Sequence, residues 1–115
     1  MPDLKENPSL RDLQEYVKKM TAERGFDHEG VTEKFVLMME EVGELAKAVR
    51  KTQGMHLDQN STKYRTDHEA ADVFFYLLDI CNKLGIDLEM ALRDKEEINK
   101  TRSWSAALTG GKSSD

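Results

Sequence analysis

The chain has 115 residues and a formal net charge of −5 at pH 7, with 34% of its residues charged and 7% aromatic. This length fits one small domain, and the acidic balance argues against nucleic-acid binding through a basic patch. The sequence shows no secretory signal and no apolar run long enough to span a membrane, so we expect a cytoplasmic protein without a membrane partner. The single cysteine, Cys81, excludes an internal disulfide, and its apolar neighbours predict a buried thiol.

The first two helical segments are predicted at about residues 9–24 and 32–51. Ser9 followed by Asp12 resembles a capping box with aspartate in place of glutamate. Gly43 costs the second segment about 1 kcal/mol relative to alanine, and a glycine there often permits close approach of another backbone or a ligand. The second segment carries one apolar stripe at helical spacing, formed by Phe35, Met38, Val42, Leu45 and Val49.

The third and fourth segments are predicted at about residues 66–84 and 87–102, after a polar loop over residues 52–61. Asp87 is a good N-cap for the fourth segment. No strand alternation is visible, so the pattern predicts an all-α, four-helix bundle-like fold. The apolar stripe of the third segment comprises Val73, Leu77, Ile80 and Leu84.

Two carboxylate pairs mark the second and third segments. Glu41 and Glu44 lie at i, i+3, as do Glu69 and Asp72, so each pair shares one helix face. On a helical wheel of about 100° per residue, both pairs lie beside the apolar stripes, whereas Glu40 points elsewhere. If the stripes pack together, the four carboxylates meet. Their oxygens are hard ligands that suit Mg²⁺ or Mn²⁺ better than zinc.

Other roles for these carboxylates are open at this point. Runs of glutamate on a helix are usually solvated, and Glu41 could pair with Lys34 or Lys47. Thr66 followed by Glu69 also matches a capping box, which would make Glu69 a helix-start residue.

The order of these acids, EExxE followed by ExxD, resembles the MazG-like nucleotide pyrophosphohydrolases of the all-α NTP pyrophosphatase superfamily. The motif lies in the segments LMMEEVGELAKAVR and HEAADVFFYLLDI, with 24 residues between Glu44 and Glu69. The resemblance covers about residues 10–104. We therefore expect a MazG-like domain over residues 1–104 and a disordered tail, rich in glycine and serine, over residues 105–115.

The resemblance implies a Mg²⁺-dependent hydrolase, with Mn²⁺ as the second choice of cofactor, that converts an NTP or dNTP to the monophosphate and pyrophosphate. It also implies a homodimer or homotetramer that completes the bundle. The metal ligands implied are Glu41, Glu44, Glu69 and Asp72. Glu41 or Glu44 is the candidate for orienting the attacking water, and Glu40 for holding a second ion or supporting the site from outside it.

The fourth segment carries Lys95, Asn99 and Arg102 on one face, at i, i+4 and i+7. They resemble the trailing Lys-Asn-Arg pattern of the family and are candidates for binding substrate phosphate, since lysine supplies a point charge and arginine a bidentate fork. Alternatively, the two cations lay their stems on apolar surface and reach solvent. Tyr76 lies on the acidic flank and is a candidate for lining the nucleotide pocket, with core packing as its alternative.

Two other functions fit the same sequence. One is a phosphoribosyl-ATP pyrophosphatase, which would perform the same chemistry on a different nucleotide. The other is a non-catalytic helical interaction module whose acidic flank binds a basic partner.

Overall fold

The computed structural model describes residues 2–54 and 65–102, and within them the chain is entirely helical and turn-like, without a strand. The all-α prediction is therefore confirmed. Most of the predicted loop and all of the predicted C-terminal tail lie outside the described residues. No described helix is long and apolar enough to cross a membrane. The helices are α1 (Leu10–Glu23), α2 (Val31–Thr52), α3 (Thr66–Leu84) and α4 (Leu88–Thr101).

Local side-chain chemistry sets the helix ends close to where the sequence predicts them. The Ser9 hydroxyl accepts the Asp12 N–H, and the Asp12 carboxylate accepts the Ser9 N–H, which completes the predicted capping box. The Asp87 carboxylate accepts the Met90 N–H at the start of α4. Gly85 ends α3 with φ of 70°, in the left-handed region that glycine adopts without a Cβ penalty.

The core lies between α1 and α3. Val17 and Met20 of α1 are buried against Leu78 of α3, and Cys81 is buried nearby, as predicted. Helix α2 packs mainly on α3, and α4 mainly on α1. This arrangement makes α3 the central helix. The half-buried residues that surround the core are Leu13, Tyr16, Phe74, Phe75 and Leu88.

A buried amide fixes α1 against the turn that joins α3 and α4. The Gln14 Nε2 donates to Asn82 Oδ1 at 3.0 Å and to the Ile86 carbonyl at 2.8 Å, while its Oε1 accepts the Leu88 N–H at 2.8 Å. Asn82 Nδ2 donates back to the Gln14 carbonyl at 2.9 Å. These bonds satisfy the buried polar groups and set the position of α1 along α3.

The predicted apolar stripes are only partly packed within the chain, since Ile80 is buried but four other members are exposed. Helix α2 instead buries Lys34 and Ala48, which lie on the same face as Glu41 at intervals of seven residues. The flank of α2 that carries the acids therefore faces α3, and part of the apolar stripe of α2 is exposed to solvent. The exposed members of the two predicted stripes are Phe35, Val49, Leu77 and Leu84.

Candidate metal centre and the cavity beside it

Three of the four predicted metal ligands come together between α2 and α3. One oxygen from each of Glu41, Glu69 and Asp72 lies within 4.8 Å of the others. Glu41 and Glu69 are half-buried, and Asp72 is exposed. The i, i+3 spacing places Glu69 and Asp72 on one side of α3, where they meet the acidic flank of α2. The geometry is that of a carboxylate cluster open to solvent on one side.

Glu44, the fourth predicted ligand, is half-buried and acts electrostatically on Glu41. Its Oε2 is buried and has no hydrogen-bond partner among the described residues. A buried carboxylate oxygen without a partner carries its full desolvation cost, which a cation would offset. Glu44 is not among the three residues whose oxygens converge most closely, and Glu40 is exposed and also outside that group.

The negative charges in the cluster repel one another. Burial raises the pKa of the Glu41 carboxyl, and the negative charges of Asp72 and Glu69 raise it further, with a smaller contribution from Glu44. A divalent cation would remove this repulsion. The hard oxygen donors, the unpartnered Glu44 oxygen and the surplus negative charge fit Mg²⁺ or Mn²⁺.

Lys34 does not neutralise Glu41. The Lys34 Nζ lies 2.6 Å from Glu29 Oε1 and 2.8 Å from Asp79 Oδ2, and the lysine is 2% exposed. The alternative pairing of Glu41 with Lys34 is therefore wrong, because both close partners of the lysine are other carboxylates.

The alternative role of Glu69 in a capping box is also wrong. Thr66 is the first residue of α3 rather than its N-cap, and the N-cap residue, Arg65, makes no side-chain capping bond. Glu69 consequently does not take part in capping α3, and its carboxylate belongs to the acidic cluster.

A cavity of about 240 Å³ opens beside the cluster, with Asp72 in its wall. Its aromatic and aliphatic lining includes Val17, Met20, Phe26 and Phe75, and its charged lining includes Glu29, Lys34 and Asp79. Sequence reasoning missed the charged group. The signal that could have found it is the position of Lys34 seven residues before Glu41, on the same face of α2.

Tyr76 lines this cavity together with Asp72 and is half-buried. Burial raises the pKa of its hydroxyl, and the negative charge of Glu41 adds to the effect. The phenol is therefore protonated at neutral pH and available as a hydrogen-bond donor. This location agrees with the pocket-lining position expected for Tyr76, whereas its contact with a substrate stays a prediction.

The three polar residues predicted to bind phosphate lie apart from the cluster. Lys95 and Asn99 are in α4 and Arg102 is its C-cap, and α4 packs mainly on α1 rather than on the helices that carry the acids. Lys95 is exposed, and the other two are half-buried. None of the three lines the described cavity beside Asp72. Their role in substrate binding stays a prediction.

Comparison with known proteins adds a family and a fold relationship. The family model described as phosphoribosyl-ATP pyrophosphohydrolase matches residues 10–99. A dATP/dGTP diphosphohydrolase of Cyanophage S-2L is 34% identical over 73 residues, which are 64% of this chain and 57% of that relative, so the match spans little more than half of the relative. The crystal structure of iMazG from Vibrio DAT 722 superposes with a TM-score of 0.62 at 26% identity, over 84% of this chain and 99% of that chain.

These matches confirm the resemblance read from the two acidic motifs. The family match covers the three carboxylates of the cluster, Glu44 and most of α4, and the iMazG match extends over nearly the whole of that solved chain. The chain therefore belongs to the phosphoribosyl-ATP pyrophosphohydrolase family and has a MazG-like fold.

Proposed function

We propose that this chain is a Mg²⁺-dependent nucleoside triphosphate pyrophosphohydrolase, which hydrolyses an NTP or dNTP to the monophosphate and pyrophosphate. The observation that carries the proposal is the convergence of oxygens from Glu41, Glu69 and Asp72 within 4.8 Å. Carboxylates alone would repel a polyphosphate. A divalent cation among them inverts the local charge and makes the site attractive to phosphate oxygens.

We assign a role to each acidic residue of the site from its position. Glu41, Glu69 and Asp72 would hold the cation, and Glu44 would complete the site from its buried side. When bound, Mg²⁺ neutralises charge on the phosphates and acidifies a water molecule. Glu41 or Glu44 is our candidate for accepting a hydrogen bond from the attacking water and thereby orienting it. Glu40 is our candidate for binding a second ion or for holding the metal ligands in place without contacting the metal.

The cavity beside Asp72 would receive the nucleoside end of the substrate. Since Asp72 belongs both to the carboxylate cluster and to the cavity wall, a bound nucleotide would reach from one to the other. The Tyr76 hydroxyl would donate a hydrogen bond there. Lys95, Asn99 and Arg102 would bind phosphate, and because α4 lies against α1, we propose that they reach a site through association of two copies.

Assembly into a homodimer or homotetramer follows from the same proposal. Large apolar side chains on α2 and α4 are about half exposed, which is unusual for a small domain that remains a monomer. A second copy would cover them. They include Phe35, Val36 and Met39 of α2 and Met90, Leu92 and Ile98 of α4.

The name of the cyanophage relative, a dATP/dGTP diphosphohydrolase, favours an ordinary dNTP over phosphoribosyl-ATP as the substrate.

The test is release of pyrophosphate from dNTPs, NTPs and phosphoribosyl-ATP, with Mg²⁺, with Mn²⁺ and with a chelator. We expect cation-dependent release of pyrophosphate, and loss of at least about a hundredfold in kcat for Glu41→Gln and Asp72→Asn, since the cation they hold supplies several kcal/mol of charge stabilisation. Glu33→Gln, an exposed acid of α2, is the matched control. Release of orthophosphate, or full activity in the chelated protein, would refute the proposal.

A further inference from the structure

A cluster of charged side chains forms part of the wall of the cavity beside Asp72. One cation, Lys34, lies against two carboxylates, Glu29 and Asp79, at 2.6 and 2.8 Å. Burial acts to lower the pKa of Lys34, but the hydrogen bonds with Asp79 and Glu29 outweigh it, so the lysine stays charged. With one positive and two negative charges, the cluster presents a net negative charge to the cavity.

Glu29 is the accessible member of this cluster. Its side chain is 18% exposed, compared with 2% for Lys34 and 6% for Asp79. A ligand in the cavity therefore meets a carboxylate, which is a hydrogen-bond acceptor only. The 2.6 Å contact with Lys34 holds this carboxylate in one place through its Oε1 atom.

The remaining walls suit a flat ring. Phe26, Phe75 and Tyr76 supply aromatic faces, and Val17 and Met20 supply aliphatic surface. The polar side chains of Thr21 and Arg24 complete the lining. Phe26 comes from the same interhelical segment as Glu29, and its ring centroid lies 5.7 Å from the Lys34 Nζ. A ring bound in this space would pack its faces on apolar surface and would meet the Glu29 carboxylate at one edge.

We propose that Glu29, held in place by Lys34, determines base specificity by accepting hydrogen bonds from N–H groups at the edge of the base. The inference rests on the proposed function and names the substrates it favours: nucleotides whose bases carry an exocyclic amino group. A base with a carbonyl oxygen at that edge faces a like partial charge, and a base without the amino group gives the Glu29 carboxylate no such hydrogen bond. Sites built to hydrogen-bond an N–H group reject analogues that lack it much more strongly than apolar pockets do.

Matched nucleotide pairs test this without any change to the protein. dGTP and dITP differ by one amino group, and dCTP and dUTP differ by an amino group in place of a carbonyl oxygen. We expect kcat/KM for pyrophosphate release to be at least about tenfold higher for the amino member of each pair that the enzyme hydrolyses. A ratio near one in the wild-type protein would overturn the inference and leave the proposed function intact.

Substitution of Glu29 assigns the effect to this residue. Glu29→Met, which keeps the bulk and removes the acceptor, should bring the ratio within each pair to about one, and Glu29→Gln should give an intermediate ratio. Glu33→Met, an exposed position four residues further on, should leave the ratio unchanged. A merely structural role of Glu29 would lower all activities together and preserve the ratios, which would overturn the inference. Absence of pyrophosphate release from every nucleotide would instead overturn the proposed function and the inference with it.

Discussion

Lys34 of α2 and Asp79 of α3 form a buried ion pair, with Nζ and Oδ2 2.8 Å apart. Lys34 precedes Glu41 by seven residues, and Asp79 follows Asp72 by seven residues, so the pair lies two helical turns from the carboxylate cluster on the same two faces. This contact fixes the rotation of α2 against α3. The cluster and the cavity beside it depend on that rotation.

Removing the cation of this pair should be costly. Lys34→Met leaves Glu29 and Asp79 close together without a counter-charge, and we expect a loss of about 3–5 kcal/mol in the free energy of unfolding, measured by urea denaturation. The double variant Lys34→Met with Asp79→Leu should recover much of this loss, because it removes the uncompensated charge. A loss below about 1 kcal/mol in the single variant would show that the pair does not order the helices.

Glu41→Gln should stabilise the cation-free protein. The substitution removes a charge that Asp72 and Glu69 repel, and relief of about 1 kcal/mol would raise the melting temperature by roughly 4–8 °C. Addition of Mg²⁺ should then raise the melting temperature of the wild-type protein but not that of the variant, because a ligand stabilises only the fold that binds it. Glu33→Gln should behave as the wild type. An equal response of both proteins to Mg²⁺ would place the cation elsewhere.

Gln14→Leu should separate α1 from the turn between α3 and α4. It removes three side-chain hydrogen bonds and leaves the partly buried Leu88 N–H without its acceptor, so we expect a loss of about 2–4 kcal/mol in unfolding free energy. Glu15→Leu, at the exposed neighbouring position, serves as the control. Equal stability of the two variants would contradict the bridging role of Gln14.

Gly43→Ala should stabilise α2 by about 1 kcal/mol, the difference in helix propensity. The sequence suggested that Gly43 permits close approach, but a Cβ at this position meets nothing within 4 Å among residues 2–54 and 65–102. Ala46→Gly, also exposed in α2, should change the free energy of unfolding by a similar amount in the opposite direction. Destabilisation by Gly43→Ala would reveal a neighbour outside the part of the chain that the structure describes.

Stability should fall in acid as the capping carboxylates become protonated. The Met90 N–H and the Arg11 guanidinium hold the pKa of Asp87 below its ordinary value, and the Ser9 N–H does the same for Asp12. Because the folded pKa is the lower one, this stabilisation is complete above the unfolded pKa and is lost as the pH falls through the folded value. Asp87→Asn should therefore flatten the dependence of the melting temperature on pH below about pH 4. An unchanged slope would exclude Asp87 as its source.

The sequence predicts the helix ends and the acid positions because both depend on short-range chemistry. A cap is decided within four residues, as at Ser9, and an i, i+3 pair such as Glu69 and Asp72 shares a face in any helix. The rotation of α2 was not predictable in this way. Lys34 is buried because Asp79, 45 residues away in the chain, and Glu29 compensate its charge, and hydrophobic periodicity carries no information about such a partner.

Helix α4 has no buried residue in the described chain, although it is 14 residues long. Isolated helices of about 12–15 residues are only marginally stable in water. Helix α4 is therefore stabilised mainly by its contacts with α1. Its backbone amides should exchange with deuterated solvent sooner than those of α3, which holds the centre of the core. The segment that bears Lys95 and Asn99 can thus fray and reform while the two acid-bearing helices stay in register.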